Sequence, residues 1–401
     1  MLPDADLQAA ARENAVTRWR LKRLFWWALA ARVALALVIH FGVGNDDTFA
    51  PDQRTYDWGG RVLAGHWIGE IPAAPDTLLP GGRQGYFYVV GVLYFLFGTN
   101  SLIPKLVNCL VGALLVPAAF DLAIRMGASA RAAIRAATFA VWFPSLVLWS
   151  ALNIRDAWII LLIVLICRQS LILQERPNPI SLLVLAAAVL TIVQFRDYIL
   201  FAVTGPMVVS FFARNSRNMG RNLVLGAIAA VLIIYADQAA GANRKLRTFD
   251  LEELQEIRYW NTMGASSQFE QADISTPTKA LLFLPKGLAY FLLAPFPWML
   301  GSIRQVLAVP ETLFFYSLFL PMYRGIRHLI RHHLGSSLMA LLITAGLTLG
   351  YALGEGNAGT AYRHRAQLLS FFLIFAAIGI EEKKKRSMMA PAPVRSFART
   401  A

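Results

Sequence analysis

The feature that most limits what this chain can become is the recurrence of long apolar runs. They fall at 24–43, 102–123, 133–151, 156–173, 179–195, 198–213, 222–239, 307–323, 336–353 and 365–380, each near the roughly 20 residues a helix needs to cross a hydrocarbon layer. In lipid every backbone polar group must find an internal partner, so a chain patterned this way folds as a bundle of spanning helices. Composition agrees: 57% of the 401 residues are hydrophobic and only 15% charged, unlike a soluble domain. The expectation is a single all-α integral membrane domain over 1–401, with about ten spans and both termini cytoplasmic.

The net charge of +14 does not point to nucleic acid, because most of it sits in short clusters flanking the apolar runs, where Lys and Arg set membrane orientation. Two further apolar runs, 85–98 and 281–300, are ambiguous by length. If 85–98 does not span, every dense basic cluster falls on one side: Arg18 to Arg23, Arg125 to Arg135, Arg168 and Arg176, Arg214 to Arg221, Arg324 to Arg331 and Lys383 to Arg386. Counting it as a span breaks that order twice. Within 281–300, Pro285, Pro295 and Pro297 interrupt the helix and Lys286 adds a charge. Both runs are therefore expected as juxtamembrane or re-entrant helices at the outer face. The first 23 residues are polar, so no cleavable signal peptide is expected. The tail 387–401 reads as disordered.

Two outer loops are long, 44–84 and 240–306. The second holds a helical pattern, FDLEELQEIRYW, then a polar stretch, MGASSQFEQADISTPTK, that reads as a flap. Sorting residues by side gathers the unusual ones at the outer face. The first loop gives Asp46, Asp47, Asp52, Arg54, Tyr56, Asp57, Arg61 and His66; short turns give Asn153, Arg155, Asp156, Arg196, Asp197 and Tyr198; the last gives Glu355, Tyr362, Arg363, His364 and Arg365, with Lys286 and Arg304 from the second loop. Ionisable groups at membrane depth are costly, so this gathering is a candidate site. Arg155–Asp156 and Arg196–Asp197 also read as interface anchors and helix caps. Arg363 and Arg365 run against the inside bias and favour a functional reading. The Arg327, His328, Arg331, His332 and His333 cluster reads as a cytoplasmic anchor, since no HExxH pattern accompanies it. Cys109 and Cys167 lie within apolar runs and form no CxxC pattern.

The first outer loop, PDQRTYDWGGRVLAGHW, resembles the acidic-x-x-x-Tyr, then Leu-x-x-Gly pattern of GT-C superfamily membrane glycosyltransferases, in particular bacterial relatives of protein O-mannosyltransferases and aminoarabinose transferases. YFYVVGVLYFLFG, SLIPKLVNCLVGALLVPAAFDLAIRMG, FPSLVLWSALNIRDAWI and the closing YRHRAQLLSFFLIFAAIG are similar in order and sidedness, so the likeness covers about the first 215 residues and the last forty. Where many relatives have Asp-Glu, this chain has Asp52-Gln53.

The resemblance implies a GT-C-like fold in a bacterial inner membrane, with a periplasmic site that moves a sugar from a polyprenyl-phosphate donor to a glycan, lipid or protein acceptor, with inversion. In that frame Asp52 is the first choice for general base, followed by Asp47 and Asp46. Arg363 and Arg365 are the first choices for the donor phosphate, with Lys286, Arg196 and Arg155 behind them. Tyr56, Arg54, Asp57, His66, Asp156 and His364 are candidates for substrate contact. Tyr56, Trp58, Trp67, Tyr86 and Tyr88 suit either a sugar platform or an interfacial aromatic belt. A divalent metal held by Asp46, Asp47, Asp52 and Asp156 is open, because their spacing specifies no geometry. Two other readings stand: an O-antigen ligase or polymerase, which depends on late-loop arginines, and a transporter, which places broken helices and polar groups at the midplane, often in two related halves.

Overall fold

A helix whose side chains are buried all round belongs at the centre of a bundle. The C-terminal apolar run does this: Ala366, Leu368, Phe371, Ile374, Phe375, Ala376 and Ala377 are fully buried. The computed structural model describes residues 4–43, 49–72, 85–213, 220, 251–263, 267–300 and 303–389. The expected span 222–239, Asp46, Asp47 and the tail from 390 lie outside the described residues.

Among the described residues there are fifteen α-helices and no strand. They are α1 (Asp4–Gly42), α2 (Asp52–Trp67), α3 (Gly85–Phe97), α4 (Leu102–Arg125), α5 (Ala130–Trp142), α6 (Pro144–Ser150), α7 (Asp156–Glu175) and α8 (Pro179–Phe195). After these come α9 (Asp197–Ala213), α10 (Leu251–Thr262), α11 (Pro277–Leu293), α12 (Ile303–Ser317), α13 (Phe319–His332), α14 (Leu334–Gly354) and α15 (Ala358–Met389). Helix α15 is the axis, packed by α13, α5, α11, α14 and α7. Start signals are local. Ser129 Oγ accepts from the Ala132 N–H at 3.2 Å, and Asn178 Oδ1 accepts from the N–H groups of Ile180 and Ser181 ahead of α8. Pro179 sits at the first turn of α8, where its missing donor costs nothing.

Among the described residues four helices are long and apolar enough to cross a membrane alone: 15–42, α4, α7 and α14. Two bent pairs raise the number to six: α5 with α6, bent by 55°, and 305–317 with α13, bent by 43°. Of the ten runs expected, 222–239 lies outside the described residues and 365–380 lies within α15. Helices α8 and α9 have 17 residues each, about 25 Å at 1.5 Å per residue, short of a layer about 30 Å thick. Helix α3 has 13 residues and is too short to span, in line with its exclusion from the expected spans. The run 281–300 divides into α11 and a 3₁₀ turn at Pro297–Met299.

The expected span 133–151 breaks at Phe143–Pro144, since Pro144 begins a new helix. Charged side chains satisfy both ends of the break. Arg32, fully buried on α1, donates to the carbonyls of Ala140 at 2.9 Å and Val141 at 3.3 Å, and to Ala28 at 3.1 Å. Across the gap, the Ser145 N–H donates to Glu311 at 2.6 Å. Replacing Arg32 by Leu strands two carbonyls in the interior. The expected result is a loss of at least about 2 kcal/mol, read as a lower thermal midpoint in detergent micelles.

At the end of α15 nearer its C-terminus, α13 approaches so closely that a Cβ added at Gly325 would meet the Phe375 carbonyl oxygen at 1.9 Å, and one at Gly379 the Pro321 carbonyl oxygen at 1.9 Å. Only glycine permits this backbone contact. A similar device sets α2: a Cβ at Gly59 would lie 2.3 Å from Phe87 and one at Gly60 2.3 Å from Val90. The Trp58-Gly59-Gly60 sequence therefore lets α2 lie flush on α3, which fixes where Asp52, at the start of α2, is held.

Candidate active site

The site forms where α2, α7 and α15 begin and α8 ends. The first layer beneath it is a buried polar network. Asn108 Nδ2 on α4 shares its two hydrogens among the carbonyls of Leu152 at 2.7 Å and Ile154 at 2.8 Å and the Tyr86 hydroxyl at 2.7 Å, while Trp158 Nε1 donates to Asn108 Oδ1 at 2.8 Å. Tyr86 in turn donates to Asn153 Oδ1 at 3.0 Å. Gln53, buried under α2, accepts from the Asn153 N–H at 2.9 Å. This network pins the turn 151–155 and so the start of α7. Gln53, which stands where many of the resembled sequences carry Glu, has its place in that network.

Above it lies a carboxylate–arginine group. Asp156 is fully buried, and Arg363 binds its Oδ2 with Nε at 2.9 Å and Nη2 at 2.6 Å. The third nitrogen of the same guanidinium, Nη1, donates to Asp52 Oδ2 at 2.7 Å. The Asp52 side chain is 47% exposed against 14% for Arg363, so Asp52 is the outward-facing partner. Arg196 brings Nη2 to 3.7 Å from Asp156 Oδ1 and donates from Nη1 to the Tyr198 hydroxyl at 2.7 Å. Arg155 donates to the Phe195 carbonyl at 2.6 Å and lies over the Tyr56 ring at 5.9 Å. Three arginines thus surround two carboxylates. Burial, and then the nearby Arg196, hold the Arg155 guanidinium below the usual arginine pKa. Arg155 Nε and Arg196 Nε have no hydrogen-bond partner.

The remaining candidates divide. Tyr56 is buried, edge-on to Tyr86 at 4.8 Å, and burial raises its hydroxyl pKa. Tyr86 is fully buried, whereas Trp58, Trp67 and Tyr88 stay exposed. Asp57 accepts from Arg61 Nε at 2.8 Å and from the Tyr94 hydroxyl. His66 Nδ1 is 3.0 Å from the Ile71 carbonyl, and Arg54 sits on the exposed side of α2. His364 pairs with Glu355 and stacks on Tyr351 at 4.8 Å. Lys286 pairs with Glu270. Arg365 turns away: it is 1% exposed and donates to the carbonyls of Leu292 at 2.8 Å and Ala294 at 3.0 Å. Among the described residues no three His, Cys, Asp or Glu side chains gather for a cation.

Described parts of the second long loop pack against the turn before α15. Helix α10 runs over Leu251–Thr262. The polar stretch after it is tied down: Gln268 bridges Asn357, the Phe269 N–H donates to the Gly356 carbonyl at 2.8 Å, and Arg258 holds the Glu270 carbonyl at 2.8 Å.

No protein-family description and no curated protein sequence matches the chain. Solved structures match in fold. ArnT from Cupriavidus metallidurans bound to undecaprenyl phosphate aligns with a TM-score of 0.54 and 17% identity, over 89% of this chain and 60% of that one. The Archaeoglobus fulgidus oligosaccharyltransferase tethered to an acceptor peptide gives 0.54 and 13%, over 92% and 50%. AglB from the same organism, with an inhibitory peptide and a dolichol-phosphate, gives 0.52 and 12%, over 93% and 52%. This chain therefore spans about half to three-fifths of the length of these proteins. It shares the fold of these proteins, a bundle of helices of which several are long and apolar enough to cross a membrane.

Proposed function

From that fold and the group built on Arg363, we propose that this chain is a membrane glycosyltransferase that moves a sugar from a polyprenyl-phosphate donor to an acceptor hydroxyl at the outer membrane surface. The observation that carries the reading is one guanidinium shared between a buried carboxylate, Asp156, and a half-exposed one, Asp52. The buried pair fixes the arginine; the exposed pair can be exchanged. A donor phosphate entering from the membrane competes with Asp52 for Nη1, the fork nitrogen that faces outward. Binding of the donor then frees Asp52 when the acceptor arrives.

The reaction follows. The acceptor oxygen attacks the anomeric carbon on the side opposite the phosphate and a new C–O bond forms. Its proton passes to Asp52, a general-base role. The C–O bond to phosphate breaks, and the polyprenyl phosphate leaves with its charge held by Arg363, with Arg196 and Arg155 adding positive potential behind it. Inversion at the anomeric carbon is the outcome. Asp46 and Asp47 stay as alternative bases in the same loop. Arg365 serves this site indirectly, by anchoring the turn after α11, and Lys286 belongs to the second loop. An inner-membrane location, with the site in the periplasm and the termini in the cytoplasm, is part of the proposal; its support is the one-sided placement of the basic clusters.

The test is turnover of a panel of short-chain polyprenyl-phosphate sugars by the purified protein, with released polyprenyl phosphate as the readout. Release with at least one donor, dependent on an added acceptor, is expected. No release from any donor, alongside transport of lipid-linked glycan in vesicles, contradicts the reading.

A further inference from the structure

The far end of α15 carries a second polar feature that the reaction does not use. Glu382 lies 19 residues after Arg363 on the same helix, or roughly 28 Å at 1.5 Å per residue, about the thickness of the hydrocarbon layer. A helix of that reach can place its two ends at opposite membrane surfaces. At the Glu382 end a cavity of about 250 Å³ opens between α13 and α15. Its wall holds Arg324, Arg327 and Arg331, one turn apart on one face of α13, with His328 and His332 beside them and Lys383 from α15.

Orientation by positive charge explains basic residues on this side of the membrane, but not their convergence on one cavity. Like charges three and four residues apart on a helix repel. The carboxylate in the cavity does not relieve them: Glu382 is taken by His328 at 3.4 Å and Lys385 at 3.1 Å. Among the described residues no carboxylate pairs with Arg324, Arg327 or Arg331. The cavity is held open by rigid walls, because Gly325 and Gly379 lock α13 and α15 backbone to backbone beside it. Its other lining is apolar and outward-facing: Leu320 is 55% exposed and Tyr323 59%. Cationic groups on one side and exposed apolar side chains on the other match a phosphate joined to acyl chains. The volume is below the about 300–1,000 Å³ of pockets that enclose whole small molecules, so only a headgroup fits inside and the chains must lie along Leu320 and Tyr323.

We propose that this cavity binds the phosphodiester headgroup of an anionic membrane lipid, on the face opposite the Asp52–Arg363 site. Basic pockets between spanning helices on the cytoplasmic side have the chemistry for this. The lipid would neutralise α13 and brace the bent α12–α13 pair against α15.

The test titrates the full chain in detergent micelles with phosphatidylglycerol or phosphatidylcholine and counts bound lipid by native mass spectrometry. Wild type is expected to hold phosphatidylglycerol at least about tenfold more tightly than phosphatidylcholine. Arg324→Gln/Arg327→Gln/Arg331→Gln should lose that preference, and the single Arg327→Gln and Arg331→Gln variants, at exposed positions, should lose part of it. The control, Arg18→Gln/Arg20→Gln/Lys22→Gln, removes the same charge from α1 and should keep it. A control that loses as much as the triple variant, or a wild type without preference, overturns the proposal. Displacement of phosphatidylglycerol by an equal concentration of inorganic phosphate overturns it as well, because the ligand is then a free anion.

Discussion

Arg363→Gln is expected to lower stability by about 3–5 kcal/mol, the cost of stranding a buried charge whose partner is removed. Asp156 is fully buried, and without Arg363 its nearest cation is Arg196 at 3.7 Å. The loss is therefore set by Asp156 and not by Asp52, which reaches solvent. Two companions separate these terms. Asp156→Asn in the Arg363→Gln background removes the stranded charge and should recover much of the stability, a coupling that independent sites do not show. Arg363→Lys keeps the charge but not the three-nitrogen fork that serves both carboxylates, so it should recover only part. Thermal unfolding in micelles reads all three. In variants that still fold, transfer should fall by roughly 10²–10³-fold, the cost typical of removing a positioned electrostatic partner. Arg363→Gln with an unchanged midpoint contradicts the assignment of Arg363 as the anchor of Asp156.

Asp52→Asn is expected to do the opposite: leave the midpoint nearly unchanged and remove transfer by at least about 100-fold. The side chain is 47% exposed and among the described residues its one charged contact is to Arg363, which keeps its two bonds to Asp156. An exposed ion pair contributes little to stability, about 0–1 kcal/mol. Asn preserves shape and hydrogen bonding but cannot take the acceptor proton. The check is the rate of polyprenyl phosphate release against the same variant's unfolding curve. Retained transfer moves the base to Asp47 or Asp46.

The class of the fold and the gathering of charged groups from distant turns at one end of the bundle were legible because each rests on strong local signals. Apolar runs set the frame, the one-sided placement of basic clusters marked 85–98 as an exception, and proline placement with Lys286 marked 281–300. Single-residue roles were not legible, because they depend on which face of a helix a residue occupies. Arg363 and Arg365 are two positions apart, and such residues do not share a helix face. One guanidinium meets Asp52 and Asp156, 311 and 207 residues away in sequence, and the other meets backbone carbonyls in the core. The rule that only one of the pair can face the cavity was available from spacing alone; which one depends on packing. Pro144 announced the break in the run 133–151, but Arg32, the side chain that makes the break tolerable, sits in an earlier helix with no motif around it. Asn108, Tyr86 and Gln53 are likewise silent in sequence, since a buried hydrogen-bond network has no spacing to find.

The measurement that tests the central claim most directly is the affinity of polyprenyl phosphate for Asp52→Asn compared with wild type, by titration in micelles. If the carrier phosphate takes Arg363 from Asp52, removing the competing charge leaves carrier affinity equal or higher while transfer is lost. Weaker carrier binding by Asp52→Asn contradicts the exchange and places Asp52 among the groups that hold the donor.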